Sequence, residues 1–279
     1  MRQQLGLSAT HKNTNDQYRL SSTESWQVFD GDANMVLQSV IFDLVGTLLY
    51  YGEATGNLIT LGHQALTDYL VGEGLDVEFE DVGRVGNGIY EVYLPFAEKS
   101  LIELEARVLY QAMLYQLGID DYSNEDLIAG AIRSFYSPIV DGYQIYSDVR
   151  EVLGRLKGRG LKLGLITNND SADFSDRLLQ KFGLNRFFDS IVVSAKIGLR
   201  KPHKHMFLHW LKELDVSNED SIYVGDHPIH DIQGAKNAQI KCIWVKRKEY
   251  ADIPTTPDWT VESISQAEQI INKERMRRK

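Results

Sequence analysis

The segment Val40–Leu49, with the sequence VIFDLVGTLL, constrains the fold of this chain more than any other segment. Its apolar run ends abruptly in Asp43, and Gly46 and Thr47 follow within four residues. A short run with β-branched residues and no clean alternation is typical of a strand that is buried on both faces of a parallel sheet. A carboxylate after such a strand lies where open α/β sheets bind ligands, although an aspartate that merely starts a turn gives the same local pattern.

Composition excludes several classes of protein. The chain has 279 residues, of which 43% are hydrophobic and 25% charged, so it can form one large domain or two smaller ones. Its net charge of -9 argues against nucleic acid or an anionic membrane as the main partner. The single cysteine, Cys242, excludes an internal disulfide and indicates a reducing compartment, so we expect a cytoplasmic protein. No stretch approaches the roughly 20 apolar residues of a membrane span.

The periodicity of apolar residues divides the chain into regions. Residues 1–34 are polar and aperiodic, which predicts an N-terminal extension without a packed core. Apolar residues then recur at helical spacing from about Leu58 to Ser137, with a helix predicted over Leu101–Leu117 and no convincing strand. From Tyr143 onward, strands alternate with helical stretches of about 10–15 residues, which predicts βαβ units and a doubly wound parallel sheet.

Polar side chains follow several of the predicted strands. In chain order they are Asp43, then Thr167 with Asn168, then Lys201, and finally Asp226 with Asp231. Because the carboxyl ends of parallel strands lie at one edge of the sheet, these groups can converge there. Two carboxylates with further oxygen donors suit Mg²⁺, and a hydroxyl, backbone amides and a lysine suit a phosphoryl group. A carboxylate next to that phosphorus can act as a covalent nucleophile.

These motifs together resemble the haloacid dehalogenase (HAD) superfamily, in the branch with a helical cap inserted after the first core strand. The motifs are Asp43-Leu44-Val45-Gly46-Thr47, Thr167-Asn168, Lys201-Pro202 and Gly225-Asp226-His227-Pro228-Ile229-His230-Asp231. The resemblance spans roughly residues 36 to 245 and implies a Rossmann-like α/β core with an all-helical cap. We therefore predict a core over residues 35–52 and 141–268, a cap over 53–140 and a basic tail over 269–279.

The resemblance also implies a role for each motif residue. It implies a Mg²⁺-dependent hydrolase, most simply a phosphatase that acts on a small phosphorylated metabolite through an aspartyl-phosphate on Asp43. The implied catalytic residues are Asp43, Thr167 and Lys201. The implied phosphate-binding residues are Gly46, Thr47, Thr167, Asn168 and Lys201. The implied Mg²⁺ ligands are Asp43, the backbone carbonyl of Val45 and Asp226, with Asp231 in support.

One position departs from the phosphatase pattern. Phosphatases of this superfamily usually carry a second aspartate two residues after the nucleophile, and Val45 stands there in this chain. That aspartate protonates the leaving alcohol and later activates water, which Val45 cannot do. General acid–base catalysis contributes on the order of 10²–10⁴ in rate. Glu53, His227 and His230 are the nearby candidates for a replacement acid.

Two alternatives to a phosphatase stay open from the sequence. The first is cleavage of a carbon–halogen or carbon–phosphorus bond, since relatives with those activities also lack the second aspartate. Phosphonate cleavage in the superfamily uses a cap lysine, and Lys99 is the only lysine between Leu58 and Ser137. A solvated surface lysine is the simpler interpretation of Lys99. The second alternative is a non-catalytic module that binds a phosphorylated ligand or a protein partner.

Overall fold

The computed structural model describes residues 37–52 and 57–277, so the predicted extension over residues 1–34 lies outside it. The strands are β1 (Ser39–Phe42), β2 (Leu49–Tyr51), β3 (Tyr143–Ile145), β4 (Lys162–Thr167), β5 (Ser190–Val193), β6 (Ser221–Gly225), β7 (Lys241–Val245) and β8 (Trp259–Val261). The helices are α1 (Leu58–Gly72), α2 (Phe79–Ser100), α3 (Ala106–Gln116), α4 (Glu125–Gly142), α5 (Val149–Gly158), α6 (Ala172–Phe182), α7 (Ser194–Ile197), α8 (Lys204–Glu213), α9 (Gly234–Asn237) and α10 (Ile264–Arg277).

Six of the strands form one parallel sheet in the order β5-β4-β1-β6-β7-β8. Strand β1 lies between β4 and β6, with Ser39 opposite both Lys162 and Ser221, and all four of its residues are buried. The chain therefore builds the sheet outward on one side of β1 and then on the other. This confirms the predicted doubly wound α/β fold, whose ligands bind where the strand order reverses.

Both faces of the sheet are covered, which explains why β1 reads as a continuous apolar run. Val40 and Phe42 belong to a core cluster that also contains buried residues of α5 and α10. Ile41 belongs to a second cluster with buried residues of α8, among them Trp210. Alternate residues of β1 therefore face opposite layers of helices, as expected for a strand inside a parallel sheet.

Helices α1–α4 form an insert between β2 and β3. These two strands pair antiparallel, with Leu49 opposite Ile145 and Tyr51 opposite Tyr143, so the chain leaves and re-enters the core through a short two-stranded ribbon. We call residues 57–142 the helical insert. Among the residues described, no helix combines the length and apolar character that a bilayer crossing requires.

Some predicted element boundaries were wrong. The helix expected over Leu101–Leu117 begins only at Ala106, because Leu101 adopts a left-handed φ of 58° and ends α2. The segment between the two helices instead contacts the core, where the Glu103 N–H donates to the Gly198 carbonyl at 3.1 Å. The boundary drawn between residues 268 and 269 falls inside α10, which continues because Ile271 is fully buried.

Helix α10 is held on α5 by a buried carboxylate. The Nε of Arg155 donates to both oxygens of Glu268 at 2.9 and 3.0 Å, and Arg159 binds the same carboxylate. The hydrogen bonds from Arg155 lower the pKa of Glu268, and the bonds from Arg159 add to them. A depressed carboxyl pKa stabilises the fold above the ordinary pKa, and this contribution is lost as the pH falls through the lowered value.

We expect Glu268→Gln to lower the free energy of unfolding by about 1–2 kcal/mol at neutral pH, because it removes a charge-assisted contact that the half-exposed arginines partly screen. The difference from the wild type should shrink as the pH falls through the pKa of Glu268. Urea unfolding at several pH values measures it. Glu151→Gln is the matched control, since Glu151 also pairs with Arg155 but its side chain is 77% exposed. Equal losses in both variants would contradict the assignment.

Candidate active site

Asp43 directly follows β1 at the carboxyl edge of the sheet. The residue is only 6% exposed, and its N–H donates to the Val224 carbonyl at 3.0 Å. Its Oδ1 accepts a hydrogen bond from Lys201 Nζ at 2.7 Å. Its Oδ2 is buried and has no hydrogen-bond partner within the residues that the structure describes. Burial raises the pKa of Asp43 to about 7, although Lys201 acts in the opposite direction. One carboxylate oxygen is thus oriented and the other is free to bind a ligand.

Lys201 is the cation at the centre of the site. Its side chain is 2% exposed, and Nζ lies 2.7 Å from Oδ1 of both Asp43 and Asp231. Nζ also lies 3.0 Å from the Ile166 carbonyl and from the Tyr223 hydroxyl. Burial alone would lower the pKa of Lys201, but the two carboxylates raise it above its usual value. The ammonium therefore stays charged and fixes the orientation of both carboxylates.

The carboxylate oxygens of Asp231 accept hydrogen bonds from several protein groups. Besides Lys201, it accepts hydrogen bonds from the Tyr223 hydroxyl and from the His227 N–H, each at 2.9 Å. Lys201 and these donors hold the pKa of Asp231 below its usual value against the opposing effect of burial. Both oxygens of Asp231 are occupied, so this residue is better placed to hold Lys201 than to contact a ligand directly.

Asp226 is oriented by two hydroxyl groups. Its Oδ1 accepts from Thr47 Oγ1 and its Oδ2 from Tyr250 Oη, both at 3.2 Å. Burial raises the pKa of Asp226 to about 6, and the nearby Asp231 adds to the shift. Thr47 is fully buried with its hydroxyl on Asp226. The hydroxyl of Thr47 therefore positions a carboxylate, and the phosphate-binding role of this residue stays a prediction.

Two glycines allow the carboxylates to approach the backbone. Gly46 has a φ of 92°, and a Cβ there would lie 2.4 Å from Asp226 Oδ1. A Cβ on Gly225 would lie 2.4 Å from Asp231 Cγ. Both distances are too short for any side chain. The absence of a Cβ at Gly46 thus leaves the space that the Asp226 carboxylate occupies, and the phosphate-binding role of Gly46 stays a prediction.

The three aspartates form a group that can hold a metal ion. One oxygen from each of Asp43, Asp226 and Asp231 lies within 4.8 Å of the others. Among the described residues, these three carboxylates face one ammonium group, that of Lys201, so carboxylates outnumber cations there. Hard divalent cations such as Mg²⁺ bind carboxylate oxygens, and Asp43 Oδ2 is a buried oxygen without a partner. The donor set therefore fits Mg²⁺, with Asp43 and Asp226 as the carboxylates best placed to hold it.

The remaining motif residues lie at the end of β4. Thr167 is 2% exposed, and within the described ranges its hydroxyl makes no hydrogen bond, so it is available to a ligand. The Asn168 side chain is already occupied. Its Oδ1 accepts from the Lys201 N–H at 2.7 Å and its Nδ2 donates to the Lys201 carbonyl at 3.0 Å. The side chain of Asn168 therefore fixes the backbone that carries Lys201, and the contact of Asn168 with phosphate stays a prediction.

A cavity of about 470 Å³ extends from the motif residues to the helical insert. We call it the insert–core cavity. Its lining comprises Val45, Tyr51, Ile59, His63, Gly86, Asn87, Tyr90, Tyr93, Leu94, Glu103, Phe135, Tyr136, Ile139, Tyr143, Asn168, Asn169, Asp170, Phe174 and Arg200. Val45 thus presents an aliphatic side chain to this cavity where phosphatases of the superfamily usually carry their acid.

Two of the three groups predicted as replacement acids, His227 and His230, make contacts outside the insert–core cavity. His227 Nδ1 accepts from the backbone N–H groups of Ile229 and His230 at 3.2 Å, and burial lowers the pKa of His227 to about 4. His230 Nε2 lies 3.0 Å from Glu98 Oε2. Neither histidine is among the residues that line the insert–core cavity. Glu53 lies outside the described residues.

Several groups at the site carry no sequence signal that identified them. Tyr223 points inward from β6 and Tyr250 lies in a loop, and nothing local distinguishes either from a core tyrosine. Asp170 follows the Thr167-Asn168 motif by two residues, and Arg200 precedes Lys201. Proximity to a motif was the one available indication for these two. Lys99, considered above as a candidate cap lysine, is exposed and does not line the cavity.

Comparison with known families identifies the class of the protein. Residues 96–245, more than half of the 279 residues, match the model of the haloacid dehalogenase-like hydrolase family. The chain belongs to this family and is a HAD-like hydrolase.

Two curated relatives resemble the chain over most of its length, and a third resembles it over less than half. Glyceraldehyde 3-phosphate phosphatase of Methanocaldococcus jannaschii is 26% identical over 240 residues, which cover 85% of this chain and 97% of the relative. Pyrimidine 5'-nucleotidase of Escherichia coli is 26% identical over 238 residues, covering 84% and 97%. Phosphoserine phosphatase of Thermus thermophilus is 31% identical over 123 residues, covering 44% and 49%.

Solved structures share the fold. A 2-haloacid dehalogenase from Pseudomonas syringae aligns with a TM-score of 0.62 at 24% identity, covering 85% of this chain and 99% of that protein. A HAD phosphatase from Thermococcus onnurineus aligns with a TM-score of 0.59 at 19% identity, with the same coverage. Because dehalogenases and phosphatases align about equally well, the fold does not distinguish the two activities.

We expect Gly46→Ala to weaken Mg²⁺ binding tenfold or more, because the new Cβ displaces the Asp226 carboxylate. Isothermal titration calorimetry with MgCl₂ measures the affinity. Gly74→Ala is the matched control. Gly74 has a similar φ of 83°, but a Cβ there meets nothing within 4 Å. Both variants should lose stability from backbone strain, and Gly46→Ala alone should lose metal affinity. Equal metal affinity in the two variants would contradict this account of Gly46.

Proposed function

We propose that the chain is a Mg²⁺-dependent phosphatase that acts on a small phosphorylated metabolite through Asp43. One observation carries the proposal. Lys201 holds Asp43 Oδ1 at 2.7 Å, while Asp43 Oδ2 is buried, has no partner among the described residues and belongs to a cluster of three carboxylates. This is the arrangement of an oriented nucleophile beside a cation site.

The proposed reaction begins with attack of an Asp43 oxygen on phosphorus. The bond from phosphorus to the leaving-group oxygen breaks, the aspartyl-phosphate forms, and water then cleaves it to release phosphate and restore Asp43. Lys201 offsets the negative charge that builds up between the nucleophile and the phosphoryl oxygens, and the Thr167 hydroxyl is available to donate to one of them. Asp43 and Asp226 would hold Mg²⁺, and a bound ion would supply further positive charge to the phosphoryl group.

The reaction also needs a proton for the leaving group, and Val45 cannot supply one. Among the described residues that line the cavity with Val45, the two carboxyl groups, Glu103 and Asp170, already accept hydrogen bonds from tyrosine hydroxyls. A leaving group that departs as a stable anion needs little protonation, whereas an alkoxide needs much more. We therefore propose that the enzyme favours esters of acidic alcohols and phenols.

The comparisons support phosphate esters over the alternatives. The relatives that match over most of the chain are named as phosphatases and a nucleotidase, whose substrates are small phosphorylated molecules. The cluster of aspartates argues for a metal-dependent reaction, which the dehalogenases of the superfamily do not need. Lys99 is exposed, which argues against a Schiff base on that residue. A non-catalytic binding module remains the competing hypothesis.

We expect Asp43→Asn to abolish Mg²⁺-dependent release of phosphate from aryl phosphates, because the amide is a poor nucleophile. Phosphate release with Mg²⁺ and with EDTA is the measurement, and the wild type should lose activity in EDTA. Asp76→Asn, the same change at an exposed position in the insert, should leave the rate unchanged. If the wild type releases no phosphate from any ester, the non-catalytic hypothesis is favoured. Undiminished activity in Asp43→Asn would remove the proposed nucleophile.

We expect Val45→Asp to raise the rate on alkyl phosphates by tenfold or more and to change the rate on aryl phosphates much less, because a general acid matters most for a poor leaving group. Val45→Asn is the matched control, since it adds a polar group of the same shape without a transferable proton. The ratio of kcat/KM for a paired alkyl and aryl ester gives the readout. The same ratio in both variants would indicate that the missing proton donor does not limit the reaction.

A further inference from the structure

The insert–core cavity is walled by aromatic rings. The rings come from both parts of the chain and are those of Tyr51, Tyr90, Tyr93, Phe135, Tyr136, Tyr143 and Phe174. Several pack against each other, as Tyr136 and Phe174 do with ring centroids 4.6 Å apart. The cavity meets the motif residues at Val45 and Asn168, so its contents lie next to a phosphoryl group on Asp43. Its volume of about 470 Å³ is enough for an aromatic molecule of moderate size.

Most polar groups in these walls are already bonded to one another. Tyr90 Oη donates to Asp170 Oδ2 at 2.5 Å, and Tyr136 Oη donates to Asp170 Oδ1 at 2.6 Å. The Tyr93 hydroxyl donates to Glu103. Burial raises the pKa of Tyr90 and Tyr136 well above the usual value, so both hydroxyls stay protonated. The hydroxyls of Tyr90, Tyr93 and Tyr136 are therefore directed at carboxylates, which leaves mainly the aromatic rings of these residues for a ligand.

Asp170 gives the cavity an excess of negative charge. Each of its oxygens accepts a hydrogen bond from a separate hydroxyl, and these two bonds favour the ionised carboxylate, although burial raises the pKa of Asp170 above its usual value. In the part of the chain that the structure describes, no lysine, arginine or histidine forms an ion pair with Asp170. A ligand with a carboxylate would meet this charge in a partly desolvated site, where repulsion is strong.

Arg200 offsets that charge only in part, because its charge favours the ionised form of Asp170 but its side chain pairs with other carboxylates. Its Nη2 donates to Glu98 Oε1 at 2.8 Å, and its Nη1 lies 3.7 Å from Glu103 Oε1. Two carboxylates therefore already balance the guanidinium, whose side chain is 10% exposed. Its Nε is buried and has no partner within the described residues. That N–H can donate a hydrogen bond to an oxygen atom of a ligand.

We propose that the insert–core cavity holds the leaving group of the substrate and selects an aromatic leaving group that carries no negative charge. Aromatic rings and Asp170 together favour a cationic group over a neutral one and a neutral one over a carboxylate. A phenol, with a pKa of about 10 like that of tyrosine, also leaves without the proton that Val45 cannot supply. This inference rests on the proposed phosphatase activity, and it names the class of ester: aryl phosphates with a neutral or cationic ring.

Binding of non-hydrolysable aryl phosphonates tests the selectivity without turnover. The probes are phenylphosphonate and its derivatives with a para trimethylammonium or a para carboxylate group, titrated by calorimetry in the presence of Mg²⁺. All three share the phosphonate, so differences between them report on the cavity. We expect the trimethylammonium compound to bind at least tenfold more tightly than the carboxylate, with phenylphosphonate between them. A reversed or flat order, or no binding of any probe, would overturn the inference.

Variants assign the selectivity to Asp170. We expect Asp170→Asn to reduce the ratio between the cationic and anionic probes to about threefold or less. Tyr90→Phe removes one hydrogen bond to Asp170 but keeps its charge, and it should retain most of the ratio. Asp76→Asn makes the same change of charge at an exposed position and should leave the ratio intact. An unchanged ratio in folded Asp170→Asn would overturn the assignment.

The binding experiment tests the selectivity of the cavity and the activity experiment tests the proposed phosphatase, so either proposal can be rejected without the other. Phosphonates that bind in the expected order to an enzyme that releases no phosphate would support the cavity's selectivity and reject the proposed phosphatase. Phosphate release from aryl esters together with a flat order of phosphonate affinities would reject the selectivity and leave the phosphatase in place.

Discussion

The ion pairs of the Lys201 ammonium are the interaction on which the site depends. A buried lysine is costly unless acceptors surround it, and here two carboxylates, a carbonyl and a hydroxyl do so. These acceptors come from different strands and loops that meet where the strand order reverses at β1. The sheet thus creates the site by bringing together groups far apart in sequence, and the charge of Lys201 fixes their orientation.

The groups around this ion pair are of two kinds. Some make all their hydrogen bonds to protein groups, and others have hydrogen-bonding atoms that can bind a ligand. Lys201 is positioned by hydrogen bonds with Asp231, Tyr223 and the Asn168 side chain. Asp43 Oδ2 and the Thr167 hydroxyl, in contrast, have no partner in the described ranges. A site is preorganised when its free donors and acceptors are held in place by groups that already have hydrogen-bond partners, because little has to move when a charged ligand binds.

The sequence predicted the sheet and the residues at its edge for a physical reason. A strand buried on both faces is a continuous apolar run, and a charged residue at its end is conspicuous, as with Asp43 and Asp226. What Thr47 and Asn168 bind could not be predicted, because a hydroxyl or amide can serve a ligand or a neighbouring chain segment equally well. Asp170 and its tyrosines depend on how the insert packs on the core, and no local pattern specifies that packing.

Val45 and Asp170 restrict the leaving group in two different ways. The aliphatic side chain of Val45 next to the nucleophile cannot donate a proton. The reaction is therefore restricted to leaving groups that are stable as anions once they depart. A carboxylate deeper in the cavity disfavours groups that are anionic before they depart. The two constraints are compatible in a phenol, which is uncharged within the ester and leaves as a delocalised anion. An aromatic lining suits the same molecule, so three independent features of the cavity agree on one class of leaving group.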